Sequence, residues 1–344
     1  MSHYNLAFLG FGNVGRSLAR LLLSKRQELQ QRYSLTFSIT GVATGSHGAA
    51  IDHDGIDLPR LLAVLDEQPT VPLEAFSVLP PPTDSFDFIH RCGADVLFEN
   101  TPVNYATGQP AVDHLRLALE QGMHAITANK GPVVHAYRTL SELAAAHGLK
   151  FYFESAVMDG APVFSLFRTT LPGARLNSLY GVLNSTTNMI LTRMEQGESF
   201  EAAVAYCQKI GIAETDPSGD IDGWDAAVKV SALVTVLMDY PLKPQQVERQ
   251  GIRQISAQDV AQASANGQRW KLVCSAERRQ GGVNARVYPV LVDRTSPLYS
   301  AEGTTSVIQF ETDVLGRLTL IEENPGPMTT AYGCLADFLN AVLG

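Results

Sequence analysis

The stretch Asn5-Leu6-Ala7-Phe8-Leu9-Gly10-Phe11-Gly12-Asn13-Val14-Gly15 decides how the rest of the chain is read. Residues 5–9 form a short apolar run of strand type, and residues 13–31 carry a helical apolar period with an arginine-rich outer face. Between them lies a GxGxxG in which each glycine has a task. Gly10 makes the tight turn, Gly12 lets the backbone approach a pyrophosphate, and Gly15 lets the helix close on the strand. The anion then rests on unpaired N–H groups at the positive end of the helix, with Asn13 and Val14 in its first turn. Strand, glycines and helix agree in position, so the motif predicts a nicotinamide dinucleotide bound on a Rossmann-type domain.

Outward from this motif, residues 35–42, 95–99, 124–127 and 150–154 read as further strands, with helices at 111–121 and 133–147. This alternation predicts a doubly wound parallel sheet over residues 1–150. Five prolines between residues 69 and 84 mark an irregular surface excursion. Beyond residue 150 the pattern changes. Strand-like stretches at 175–183, 283–292 and 304–312 are separated by helices that include 200–209 and 222–238. They predict a second, α+β domain for substrate binding and dimerisation over 151–320. A C-terminal segment, 321–344, ends in a helix at 328–343 expected to pack back on the first domain. There is no internal repeat and no low-complexity tract.

Composition narrows the function. The chain has 344 residues, enough for two domains, with 45% hydrophobic and 18% charged content. A formal charge of -9 repels a phosphate backbone, which argues against nucleic acid as a partner. The N-terminus shows no signal-peptide pattern, and the longest apolar run, 228–238, is too short for a bilayer and carries Lys229. A cytoplasmic protein without membrane association is expected. Cys92, Cys207, Cys274 and Cys334 show no CxxC pair and read as reduced, buried thiols.

The adenosine ribose is normally read at the end of the second strand. Here that stretch is Gly41-Val42-Ala43-Thr44-Gly45-Ser46-His47, with neither the Asp or Glu that would bind a 2'-hydroxyl nor an Arg for a 2'-phosphate. Lacking the carboxylate that repels a phosphate, it favours NADP while leaving NAD open. Thr44 and Ser46 are candidate contacts, and His47 is equally well a plain loop residue. Asn100 and Thr101, directly after the strand-like 95–99, join the candidate cofactor contacts.

A second constellation lies in Gly211-Ile212-Ala213-Glu214-Thr215-Asp216-Pro217-Ser218-Gly219-Asp220-Ile221-Asp222-Gly223-Trp224-Asp225-Ala226-Ala227-Val228-Lys229. Five carboxylates lead into a helix on which Asp225 and Lys229, four apart, share a face. An exposed ion pair would explain that spacing alone, but Ala226, Ala227, Val228, Val230, Ala232, Leu233 and Val234 make this a largely buried helix. A lysine there needs a reason. The chain uses 19 Arg and only 7 Lys. Another of those lysines, Lys130, stands in Thr127-Ala128-Asn129-Lys130-Gly131-Pro132 at the carboxyl end of a sheet strand, the edge where open α/β sheets bind ligands. Lysine gives up a proton where arginine does not, so Lys130 and Lys229 point to proton transfer at a carbonyl oxygen.

Taken in order, the glycine motif, Ala128-Asn129-Lys130-Gly131-Pro132, Glu154 with Gly160-Ala161-Pro162, Leu183-Asn184-Ser185-Thr186-Thr187-Asn188 and the 214–229 block resemble homoserine dehydrogenase over most of the chain. The resemblance implies NAD(P)-dependent, reversible reduction of L-aspartate 4-semialdehyde to L-homoserine. It implies proton handling by Lys229 and Lys130 with Asp225 orienting Lys229, and substrate contacts from Glu214, Asp220, Asn184 and Thr186, while the strands of the second domain make a homodimer the expected assembly. It also implies a monovalent cation, Na+ or K+, held by main-chain carbonyls of Glu154, Val157, Asp159 and Ala161. Ser185 departs from the family's usual glycine, and Glu322-Glu323-Asn324-Pro325-Gly326-Pro327 replaces a glycine-rich stretch. Residues 148–344 contain no histidine, which argues against a 2-hydroxy-acid dehydrogenase with its His–carboxylate pair. A non-catalytic NAD(P)-sensing protein is the remaining alternative.

Overall fold

Leu6, Ala7, Phe8 and Leu9 are all buried in strand β1 (Ser2–Leu9). A strand end with no exposed alternate positions belongs in the middle of a sheet covered on both faces. In the computed structural model, which describes all 344 residues, β1 lies in a six-stranded sheet with β2 (Leu35–Thr44), β3 (Gly48–Ile51), β4 (Val96–Glu99), β5 (His124–Thr127) and β6 (Phe151–Tyr152). The order is β3-β2-β1-β4-β5-β6. All pairs are parallel except β2 with β3, a hairpin that the sequence reading did not contain. Helices α1 (Asn13–Tyr33), α2 (Leu58–Glu67), α3 (Ser85–Arg91), α4 (Ala111–Glu120) and α5 (Lys130–Ala146) connect the strands. The strand order reverses between β1 and β4, so the loops leaving their carboxyl ends diverge and open a crevice.

The helix Pro327–Leu343 belongs to this same unit, Met1–Pro162 with Gly326–Gly344. Its Phe338 sits edge-on to Phe98 at 6.2 Å and to Tyr4 at 6.0 Å, and Phe98 stacks on Phe8 at 5.3 Å. Burying one such ring contributes about 1.5–3 kcal/mol, which holds a terminal helix in place. Within residues 69–84, the four residues Leu73–Phe76 form a 3-10 turn and the rest is irregular.

The second unit is Val163–Pro325. Its sheet contains β7 (Leu176–Val182), β8 (Glu248–Arg249), β9 (Gln268–Arg279), β10 (Gly282–Asp293), β11 (Ser306–Thr312) and β12 (Gly316–Glu322), in the order β12-β11-β7-β9-β10-β8. Pairing is antiparallel except between β8 and β10. The helices are α6 (Val163–Ser165), running into a π turn at Leu166–Thr170, then α7 (Ser185–Glu195), α8 (Phe200–Lys209), α9 (Ser218–Ile221), α10 (Trp224–Leu237) and α11 (Ala257–Ala265). Helix α10 packs on β9 and β10.

Among the elements not expected from the sequence are β9, β12 and α7. β9 holds Lys271 inside an apolar run, which breaks the strand pattern, yet Lys271 is fully buried. β12 alternates weakly because its positions are mostly half-exposed. Helix α7 opens on the polar run Ser185-Thr186-Thr187-Asn188, which reads as loop until Asn184 is seen to cap it by accepting from Thr187 N at 2.8 Å. Similarly, α5 begins at Lys130 rather than 133 because Asn129 caps it, accepting from Gly131 N at 2.9 Å.

Candidate active site

The three glycines of the first turn meet different surroundings. Gly10 has a φ of 95°, and a side chain there would collide with the backbone of Asn100. At Gly15 a Cβ would stand 2.7 Å from the Gly10 carbonyl oxygen. Nothing lies within 4 Å of the equivalent point on Gly12. Gly10 and Gly15 are thus needed to build the turn, while the space above Gly12 is kept open. Gly12 also caps α1 without a side chain, and the first turn holds no acidic residue. The N–H groups at Asn13 and Val14 therefore face no competing carboxylate, an arrangement that fits a pyrophosphate.

At the end of β2 the Thr44 hydroxyl accepts from His47 N at 2.9 Å, and Ser46 Oγ pairs with His47 Nδ1 at 2.8 Å. A cavity of about 580 Å³ lies beside this edge, with Leu9, Thr44 and Thr101 in its wall. Strands β1, β2 and β4 all deliver their carboxyl ends to it.

Sequence reasoning missed the group that organises this edge. Glu99, the last residue of β4, is fully buried. Its carboxylate accepts from Thr101 N at 3.1 Å and from Thr127 Oγ1 at 2.9 Å, and Thr101 Oγ1 also donates to it. Thr127 Oγ1 in turn accepts from Asn129 N at 2.9 Å, and Asn129 Nδ2 donates to the Thr101 carbonyl at 3.2 Å. Burial pushes the Glu99 carboxyl above its ordinary range. The network holds Asn100, Thr101 and the start of α5, with Lys130 at its first position, in one geometry. A strand-ending Glu two residues before Thr101 was the only signal available, and it is indistinguishable from an exposed edge.

In the second unit, Lys229 and Asp225 lie on one face of α10, with Nζ 3.3 Å from Oδ2. Their side chains are 15% and 11% exposed, well below an ordinary surface pair. Lys229 Nζ also donates to the Leu183 carbonyl at 2.5 Å. Asn184 Nδ2 donates to Asp220 Oδ1 at 2.7 Å and to Asp225 Oδ2 at 3.0 Å, bridging two carboxylates. Burial, then the neighbouring Asp225 charge, raises the Asp220 carboxyl above its usual range. The Thr186 hydroxyl donates to the Ile212 carbonyl at 2.9 Å and so ties α7 to the acidic loop. Asn184, Thr186, Asp220, Asp225 and Lys229 come together within this unit. Glu214 does not join their hydrogen bonds; its side chain is exposed on the loop. Ser185 starts α7 with no left-handed backbone, and its hydroxyl donates to the Thr304 carbonyl at 3.1 Å, so this position does not require glycine.

A second buried lysine went unnoticed in the sequence. Lys271 of β9 donates to Asn188 Oδ1 at 2.9 Å and to the Ala301 carbonyl, and burial lowers its pKa to about 8. With Asn188 Nδ2 donating to the Gly303 and Thr305 carbonyls at 3.0 and 3.2 Å, it fastens residues 301–305 to α7.

Residues 154–161 lie in the first unit. Glu154 is buried, and Asp159 takes a left-handed φ of 38°, its carboxylate accepting from Thr330 Oγ1 at 3.0 Å and Thr329 Oγ1 at 3.3 Å. The main-chain carbonyls of Val157 and Asp159 accept no backbone hydrogen bond. All four cysteines are free and buried. Burial pushes the thiols up to about 11 at Cys92 and Cys207 and about 12 at Cys274 and Cys334, so none is a nucleophile near neutral pH.

An open helix terminus on a doubly wound sheet, and a lysine amine held among carboxylates on a separate α+β unit, are the parts of a nicotinamide-dependent oxidoreductase acting on a small substrate. Comparison with known proteins narrows the class. Residues 10–154 match the family model for the homoserine dehydrogenase NAD-binding domain, and residues 162–339 match the model for homoserine dehydrogenase. An NAD(+)-dependent homoserine dehydrogenase of Pseudomonas canavaninivorans is 35% identical, covering 99% of this chain and 96% of its own. A homoserine dehydrogenase of Methanocaldococcus jannaschii is 35% identical, covering 98% of each. Among solved structures, a putative homoserine dehydrogenase from Archaeoglobus fulgidus superposes with a TM-score of 0.85 at 29% identity over 98% of both chains. A hyperthermophilic archaeal homoserine dehydrogenase in complex with NADPH gives 0.83 at 26% identity, covering 99% of this chain and 98% of that one. The chain belongs to the homoserine dehydrogenase family, enzymes that interconvert L-aspartate 4-semialdehyde and L-homoserine with NAD(P).

Proposed function

We propose that Lys229 is the group that exchanges a proton with the substrate oxygen in the interconversion of L-aspartate 4-semialdehyde and L-homoserine. The observation that carries this reading is how the ammonium is bound. A lysine has three N–H donors; two are engaged by the Leu183 carbonyl and Asp225, and the third is left for a ligand. Asp225 orients the amine, and Asn184 holds Asp225 in turn. When bound, NAD(P)H supplies the hydride that the aldehyde carbon receives. As negative charge develops on the carbonyl oxygen, Lys229 stabilises it and passes on a proton; in the reverse direction the amine takes the hydroxyl proton back. Lys130 serves as second proton-handling group and cofactor neighbour. Asp220 and Glu214 bind the substrate's amino group and hydroxyl, with Asn184 and Thr186 shaping the site. Purified protein should oxidise L-homoserine with NAD+ or NADP+, followed by the nicotinamide absorbance; a protein that binds the dinucleotide without turnover would be a sensor instead.

The Glu154, Val157, Asp159 and Ala161 carbonyls would hold Na+ or K+, a reading supported by the carbonyls of Val157 and Asp159, which accept no backbone hydrogen bond. Replacing both ions by choline is expected to lower kcat and Tm together, and equal values in the two media would remove the cation from the account. The second unit's sheet leaves Leu291 39% and Ile321 54% exposed, apolar surface that supports a homodimer and that light scattering will test. A cytoplasmic setting is supported by four unpaired thiols; no helix is long and apolar enough to cross a membrane. Fractionation of cells will test the compartment. Both cofactors occur among similar proteins, one an NAD(+)-dependent enzyme and another solved in complex with NADPH. The bare end of β2 favours NADP here only if no carboxylate reaches it from elsewhere in the fold.

A further inference from the structure

One does reach it. The Leu73 N–H donates to the His47 carbonyl at 2.8 Å, and the Leu73 side chain is buried, so the 3-10 turn Leu73–Phe76 is anchored on the hairpin between β2 and β3. The next residue, Glu74, lays its carboxylate against Gly48, where any side chain would collide with it. Gly48 pairs with Thr44, the last residue of β2. Glu74 and Thr44 both line the cavity of about 580 Å³ that the ends of β1 and β4 also enter.

The charges in that wall are one-sided. Its acidic residues are Glu74 and Asp84, and it contains no lysine or arginine. Burial lowers the pKa of its one histidine, His114, and keeps that ring neutral. Asp84 is already occupied as the cap of α3, accepting from Phe86 N and Asp87 N at 2.8 Å each. Glu74 forms no side-chain hydrogen bond or ion pair within the protein and is exposed to the cavity.

We propose that Glu74 is the specificity-determining residue for the cofactor: its carboxylate accepts from the ribose 2'-hydroxyl of NAD and repels the 2'-phosphate of NADP. The proposal rests on the adenosine half lying beyond β2, as the dinucleotide-binding reading requires. A ribose hydroxyl offers a proton to the carboxylate, whereas a phosphate dianion meets a like charge with no cation in the wall to offset it. Glu74 thus does from a distant loop what an acidic residue at the strand end does in other folds of this type. This reverses the NADP preference inferred from the bare strand end, because the sequence places Glu74 thirty residues away from Thr44.

The test is calorimetric binding of NAD+, NADP+, 5'-AMP and 2',5'-ADP to the intact protein, so that it does not depend on turnover. Wild type should bind NAD+ at least tenfold more tightly than NADP+, and 5'-AMP more tightly than 2',5'-ADP. Glu74→Gln keeps the shape on an exposed residue and removes the charge; it should narrow or invert both ratios. Wild type preferring NADP+, or unchanged ratios in Glu74→Gln, overturns the proposal. If Gly12→Val still abolishes binding of both dinucleotides, the cofactor reading survives that result; if Gly12→Val binds normally, both fail together.

Discussion

Lys229→Ala is expected to lower kcat by roughly 10²- to 10⁴-fold, the usual contribution of a positioned general acid or base, while dinucleotide affinity changes little. The Lys229 side chain is 15% exposed and its amine is fixed by the Leu183 carbonyl and Asp225, so the loss concerns a preorganised donor and not a mobile surface charge. A solvated ion pair would cost only a fraction of a kcal/mol on removal, about 0.2–1, and would leave kcat alone. Lys229→Arg separates charge from proton transfer. The guanidinium keeps the cation but does not give up a proton near neutral pH, so kcat should fall on a scale comparable with Ala in both directions. A folded Arg variant with near-native kcat would assign the proton elsewhere, with Lys130 the next candidate. The Tm of each variant must accompany the kinetics, because the removed cation offsets Asp225 beside a second carboxylate, Asp220.

Gly12→Val should fold like wild type and lose cofactor affinity by roughly 10²-fold or more, since one or two charge-assisted hydrogen bonds at about 1.5–3 kcal/mol each depend on that approach. The open space at Gly12 makes the prediction specific to binding. Gly10→Ala provides the contrast. Its φ of 95° and its contact with the Asn100 backbone leave no room for a Cβ, so the variant pays left-handed strain of about 1–3 kcal/mol on top of a displaced β4 loop. Thermal unfolding and calorimetric binding measured on both variants should show one protein that is stable and blind to the cofactor and another that is destabilised. A Gly12→Val protein with wild-type affinity would refute the assignment of this loop.

Much of the site could be read before any coordinates because its geometry is local. The interval between Asp225 and Lys229 is one helical turn, so spacing alone put them on one face, and the apolar residues around them announced burial. The glycines from Gly10 to Gly15 act over six residues between a strand and a helix, where backbone sterics leave few solutions. Periodicity likewise marked most strands of the first sheet, since a parallel sheet buries its strands on both faces. What resisted reading was wherever polar residues sit inside: Lys271 hid β9, and the polar start of α7 hid a helix behind its own cap.

Sequence by itself therefore determined the nucleotide-binding sheet, the lysine–aspartate pair and the two-part organisation, all of which follow from backbone periods and short-range sterics. Tertiary structure alone decided which distant residues share a site. Asn184 bridges Asp220 and Asp225 from another helix, Glu99 joins Thr101 to Thr127 across two strands, and Glu74 arrives at the end of β2 because one backbone bond and one buried leucine dock its turn there. A carboxylate's partners are set by chain topology and packing, which no spacing along the chain encodes. The same residue type reads identically in sequence whether it ends up solvated, buried in a network or set in the wall of a cavity.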